Sequence, residues 1–197
     1  MEDTANLPFT FRKGLPQDAS DLAIFADTAT GGLSTHLWRG VANPGQSAME
    51  VGRDIILNVK DSPIYHGQWL VAESRGKTVG AMLGFRLGED GAPVGHDAVL
   101  APLNALKSRV GGTWFLSLLT VVPEARSKGV ATALLGEVPR LAGETGATEI
   151  SLILSSPNTV ARRIYDRQGY SEIAREILVP YPGSHPEGEW LLMTKGV

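Results

Sequence analysis

Val122-Pro123-Glu124-Ala125-Arg126-Ser127-Lys128-Gly129-Val130-Ala131 joins two different kinds of sequence. Before it, the apolar run Trp114–Val122 has the length and composition of a buried strand. After it, Thr132-Ala133-Leu134-Leu135-Gly136-Glu137-Val138 has the apolar spacing of a helix. A strand that stops at Pro and enters a helix through Arg-x-x-Gly-x-Ala leaves first-turn N–H groups unpaired, at the positive end of the helix dipole. Gly129 and Ala131 are small, so a bulky anion can approach the main chain, and Arg126 and Lys128 add formal charge. The stretch reads as a phosphate-binding turn. Alone, it is also what an ordinary connection with a solvated basic pair looks like.

Neither common nucleotide loop is present, since no Gly-x-Gly-x-x-Gly follows a strand and Gly-x-x-x-x-Gly-Lys-Ser/Thr is absent. A second segment adds weight. Glu149–Leu154 reads as a buried strand, and Asn158 stands where a helix N-cap belongs. Ala161, Ile164, Tyr165 and Gln168 follow at helical spacing, and Gly169 suits the left-handed helix stop before Tyr170. Taken singly, Asn158 is a cap and Tyr165 a core aromatic.

Together the two segments resemble the GNAT N-acetyltransferases. That family's acyl-CoA signature is Arg/Gln-x-x-Gly-x-Gly/Ala after a Val-x-Pro strand end, matched by Val121-Val122-Pro123, Arg126, Gly129 and Ala131. Its later motif, Asn-x-x-Ala-x-x-x-Tyr-x-x-x-Gly-Phe/Tyr, is matched by Asn158, Ala161, Tyr165, Gly169 and Tyr170. The resemblance implies an α/β fold with a central mixed, strongly twisted sheet of about six to seven strands. Helices are expected on both faces, with a splayed parallel strand pair at the cofactor cleft. The implied reaction is transfer of an acetyl group from acetyl-CoA to a primary amine of a small molecule or peptide, by direct attack. A non-catalytic acyl-CoA-binding sensor or regulatory module is the alternative.

The resemblance implies cofactor contacts from Leu119, Thr120, Val121, Val122, Arg126, Ser127, Lys128, Gly129, Val130, Ala131, Thr132, Asn158 and Tyr165. Tyr165 is the expected general acid for the departing CoA thiol. A phenol near ~10 and a thiol near ~8.5 need no large pKa shift for that exchange. For the base none is assigned: Glu50, His36, His66, His96 and Glu73 each read more readily as surface residues, with Glu73 leading because the neighbouring strand of this fold borders the acceptor pocket. The acceptor side is expected to include Glu73, with His36 and Trp38 in a Gly-bounded loop, Gly31–Gly40, although Trp38 is as readily a core residue.

Composition narrows the rest. A net charge of −3 gives no support for a nucleic-acid surface, although the charge suits a cationic acceptor. Zero cysteines exclude thiolate metal sites and a Cys acyl-enzyme, and the histidines at 36, 66, 96 and 185 show no metal-ligand pairing. No metal is expected. No apolar run reaches membrane-span length, and Met1–Asn6 carries no basic-plus-apolar leader, so a cytoplasmic enzyme with no membrane partner is expected.

One domain over residues 1–197 is expected, with a flexible tail at 1–6 and an extended hairpin connection at 88–110 holding a short helix over Leu100–Val110. The remaining elements are a strand over 7–13, helices over 16–27 and 47–59, a hairpin over 69–86, and strands over 170–179 and 189–195. Pro139 should kink or end the helix that starts near Gly129. The apolar strand Trp190–Met193 would serve a homodimer or lie inside one subunit, and the sequence leaves both open.

Overall fold

The computed structural model describes residues 8–91 and 97–197. The expected tail at 1–6, the first residue of the first strand and His96 lie outside the described residues. In chain order the elements are β1 (Thr10–Lys13), α1 (Ala19–Thr30), α2 (Leu33–Gly40), α3 (Ala48–Asn58), β2 (Trp69–Ser74) and β3 (Lys77–Arg86). Then come α4 (Ala101–Lys107), β4 (Trp114–Val121), α5 (Val130–Glu144), β5 (Glu149–Ser155), α6 (Thr159–Arg167), β6 (Ser171–Ile177) and β7 (Glu189–Gly196). The seven strands form one open mixed sheet in the order β1-β2-β3-β4-β5-β7-β6. The chain divides into two compact units, one containing the chain up to Gly84 and Leu118–Gly136, the other Phe85–Ser117 and Glu137–Val197.

In the first unit, Arg75 (φ 51°) and Gly76 (φ 72°) turn β2 into β3, the pair of positive φ angles that a tight hairpin turn requires. Register then sorts the faces. Trp69 pairs with Leu83 and Val71 with Ala81, and all four join Leu22, Ile56 and Leu118 in one buried cluster under α1 and α3. Gly80 faces the other way. A Cβ there would lie 2.9 Å from the Thr120 carbonyl oxygen and 3.2 Å from Val130 Cγ1, so its lack of a side chain lets β4 and the start of α5 close onto β3.

One sequence expectation fails here. Gly31–Gly40 is not a loop, because Leu33–Gly40 is α2. Its first-turn N–H groups find acceptors on the end of α1: Thr35 N–H donates to Asp27 Oδ1 (2.8 Å) and Ser34 N–H to Thr30 Oγ1 (3.1 Å). A cap supplied from the preceding helix leaves no Ser, Asp or Asn at the usual position to read. By contrast α3 starts as read, with a reciprocal Ser47–Glu50 capping box.

Of the kink or early end expected at Pro139, the early end does not occur. α5 runs through the proline without ending, to Glu144. Proline removes the N–H that would bond the Leu135 carbonyl, at about 3 kcal/mol. Val130, Leu134, Leu135 and Val138 are all buried on the same helix. At about 1.5–3 kcal/mol for each such side chain, that burial outweighs the break.

In the second unit β4 and β5 run parallel, with Trp114 against Ile150 and Leu116 against Leu152. β5 pairs along its length with β7, and β7 with β6 across a bulge at Glu172/Ala174. A buried hydrogen bond of 2.6 Å between the Thr113 and Ser151 hydroxyls satisfies both inside an otherwise apolar layer. The expected short helix in the 88–110 connection is α4, which packs against β6 and β7.

Candidate functional site

The turn after β4 is held at both ends and open between them. Ala125 and Val130 are buried, while residues 126–129 are exposed. Ser127 (φ 60°) and Gly129 (φ 82°) both adopt left-handed backbone, the conformation by which successive N–H groups converge on a concavity. The first intrahelical bond of α5 runs from Ala133 N–H to the Gly129 carbonyl (2.9 Å). The N–H groups of Val130, Ala131 and Thr132 therefore precede the helix ladder. Val130 contributes main chain only, since its side chain is 1% exposed. Arg126 Nε donates to the Val121 carbonyl (3.2 Å), which holds the guanidinium beside the strand end; Lys128 is exposed.

Strand alternation divides the β4 residues. Val122 N–H donates to the Val79 carbonyl on β3 (3.0 Å), and its own carbonyl accepts from Ala125 N–H (3.0 Å). Val122 is thus committed on both sides, and Thr120, two residues back, faces β3 as well. Leu119 and Val121 point their N–H groups away from β3.

In the second unit, Asn158 caps α6, its Oδ1 accepting from Ala161 N–H (3.1 Å). Tyr165 lies on the same helix and is 9% exposed. Burial pushes its phenol up to about 12. The expectation of an ordinary phenol is corrected on this point: the charged form loses its hydration in the packed interior. The turn and strand edge belong to the first unit, and Asn158 and Tyr165 to the second.

The acceptor-side residues are mostly engaged elsewhere. Glu73 accepts from Arg12 Nε at 2.6 Å, and the same guanidinium holds buried Asp18 through two further bonds. Glu50 belongs to the α3 capping box. His66 is buried, its Nδ1 3.2 Å from the Gly14 carbonyl, with Tyr65 against its ring at 4.0 Å. Trp38 is 6% exposed on α2, packed so closely on Gly52 that a Cβ there would sit 2.5 Å from the indole. It is core rather than a loop wall. His36 is partly buried on the same helix.

One basic residue passed unnoticed in the sequence. Lys107 on α4 sets Nζ 5.1 Å from the Phe115 ring centroid, and burial lowers its pKa. Its only sequence signal is the short apolar pattern of Leu103 and Leu106. Among the described residues no cluster of His, Asp and Glu could hold a metal ion, and no helix is long and apolar enough to cross a membrane.

The profile of the acetyltransferase (GNAT) family matches residues 46–170. A 59-residue stretch is 39% identical to an uncharacterized N-acetyltransferase, YhfO, of Bacillus subtilis (strain 168), covering 30% of this chain and 40% of that protein's length. Among solved structures, Ard1 from Thermoplasma volcanium superposes with a TM-score of 0.62 at 17% identity, over 96% of this chain and 97% of the other. Ribosomal-protein-alanine N-acetyltransferase from Brucella melitensis gives 0.62 at 19% identity, over 95% and 99%. These likenesses extend the shared fold over nearly the whole chain.

Proposed function

Because this chain belongs to the acetyltransferase (GNAT) family, we propose that it moves an acetyl group from acetyl-CoA to a primary amine of a small molecule or peptide. The amine attacks the thioester directly, and the thioester supplies the activated acyl carbon. The observation that carries this reading is the left-handed turn at Ser127 and Gly129 opening onto the unpaired N–H groups of α5. Such a nest suits a multiply charged pyrophosphate. Ser127, Lys128, Gly129, Ala131 and Thr132 would hold it, with Arg126 adding charge from the strand end.

Leu119 and Val121 would offer backbone N–H groups to the peptide-like arm and thioester oxygen, a strand-like mode of binding. Asn158 holds the start of α6, which carries Tyr165. A phenol near 12 is a weaker acid than a thiol near ~8.5. Tyr165 therefore assists the departing sulfur by donating a hydrogen bond and keeps its proton. A hydrogen bond to a charged group contributes about 1.5–3 kcal/mol, so Tyr165→Phe should lower turnover about 10–100-fold. Glu50, His66 and Glu73 hold structural contacts, and none of the three is assigned as the base.

Two measurements test the reading. Acetyl-CoA at 100 times its dissociation constant should stabilise the fold by about 2.7 kcal/mol, a rise in Tm of roughly 5–11 °C for a chain of this size. No shift with acetyl-CoA or CoA would sink the proposal. Thiol release across an amine panel then identifies turnover; binding without release from any amine points to an acyl-CoA-binding module instead.

A further inference from the structure

Building on the role of Tyr165 as donor to the departing sulfur, we propose that Tyr170 and Lys195 are positioning residues that hold the Tyr165 phenol in its working orientation. The argument lies at the end of α6. Tyr170 N–H donates to the Tyr165 carbonyl and Gly169 N–H to the Asp166 carbonyl, both at 3.1 Å, with Gly169 at φ 85°. This paired-bond helix stop carries the residue after the glycine back over the residue five positions earlier. The spacing Tyr165–Gly169–Tyr170 therefore brings two tyrosine rings together.

Their centroids lie 5.6 Å apart with planes inclined at 69°, the edge-on arrangement that ring quadrupoles favour. Both rings are buried. Lys195 on β7 then sets Nζ 5.8 Å from the Tyr170 centroid, within cation–π range. Its stem passes Gly169, where a Cβ would meet Lys195 Cε at 3.9 Å. Sheet register fixes the lysine, since Lys195 pairs with Ile150 on β5 and its neighbour Thr194 with Ser171 on β6.

A line of contacts thus runs from the sheet through Lys195 and Tyr170 to Tyr165. The packing of the ring sets where the Tyr165 Oη sits. A misplacement of about 1 Å is enough to cost on the order of 100-fold in rate.

The test follows the Tyr165 ring in the free protein, labelled with carbon-13 at tyrosine Cζ, with Tyr165→Phe assigning the signal. Tyr170→Phe keeps the ring and should leave the Tyr165 signal single and narrow. Tyr170→Leu fills the space without a ring and should broaden or split it. Lys195→Met keeps the stem without the charge and should move the same signal by a smaller amount, which serves if Tyr170→Leu fails to fold.

In thiol release with acetyl-CoA and the best amine of the panel, Tyr170→Leu should lower kcat about 10-fold at unchanged KM for acetyl-CoA, and Tyr170→Phe should restore it. In a Tyr165→Phe background, Tyr170→Leu should add no further loss. An unmoved Tyr165 signal in folded Tyr170→Leu and Lys195→Met, or equal losses in both backgrounds, overturns the positioning role alone. If Tyr165→Phe itself leaves kcat unchanged, the donor role falls first and the positioning role with it.

Discussion

At Gly129 the backbone holds φ 82°, a conformation that costs an L-residue roughly 1–2 kcal/mol. Gly129→Ala should therefore lower Tm by about 2–8 °C. As the turn relaxes toward negative φ, the converging N–H groups lose their aim, and affinity for acetyl-CoA should fall about tenfold by calorimetric titration. Unchanged affinity would show that the pyrophosphate sits elsewhere. Gly129 was legible in the sequence because a left-handed turn selects for glycine locally. Glu73 and Trp38 were not. Glu73 is claimed by Arg12 from a strand remote in sequence, and Trp38 by Gly52 on another helix. A side chain's availability depends on partners that no local pattern names.

The same division appears among the elements. α3, the β2–β3 hairpin and the stop of α6 are written in neighbouring residues: Ser47 with Glu50, Arg75 with Gly76, and Tyr165 with Gly169 and Tyr170. α2 and the second half of α5 are not, for one is capped from α1 and the other is kept by burial across a proline. The α5 case is testable. Pro139→Ala restores an N–H to the Leu135 carbonyl and removes the ring clash. It should stabilise the protein by about 1–3 kcal/mol, raising Tm by roughly 2–4 °C per kcal/mol, with acetyl-CoA affinity unchanged. A fall in Tm would mean that the packing around Val138 and Ala142 is built on the proline.

For the whole molecule, buried titratable groups bound the pH range of full stability. Burial would raise the Asp18 carboxyl, but hydrogen bonds from Arg12 and the Leu15 N–H overcome it and hold the carboxyl below its usual value. Its contribution is complete above a pH of about 3.9 and lost as pH falls through the lowered folded value. Tyr165 is displaced upward by burial, so its contribution is complete below about 10 and lost as pH rises through about 12. Urea unfolding against pH should show a decline at each end. Asp18→Asn should flatten the acidic limb, and Tyr165→Phe together with Tyr170→Phe the alkaline one, since burial raises the Tyr170 phenol as well; limbs unaltered by these changes would remove the assignments.

What the sequence determined by itself was the order of the elements other than α2, the left-handed Ser127–Gly129 turn and the Asn158–Tyr170 helix with its stop, because caps, turns and apolar periods act over a few residues. Only the tertiary structure decided the placing of β7 between β5 and β6, the burial that displaces Tyr165, and the bond that ties Val122 N–H to the Val79 carbonyl on β3. Each depends on hydrogen bonds and desolvation between residues far apart in the chain. Such interactions exist only once the sheet has formed.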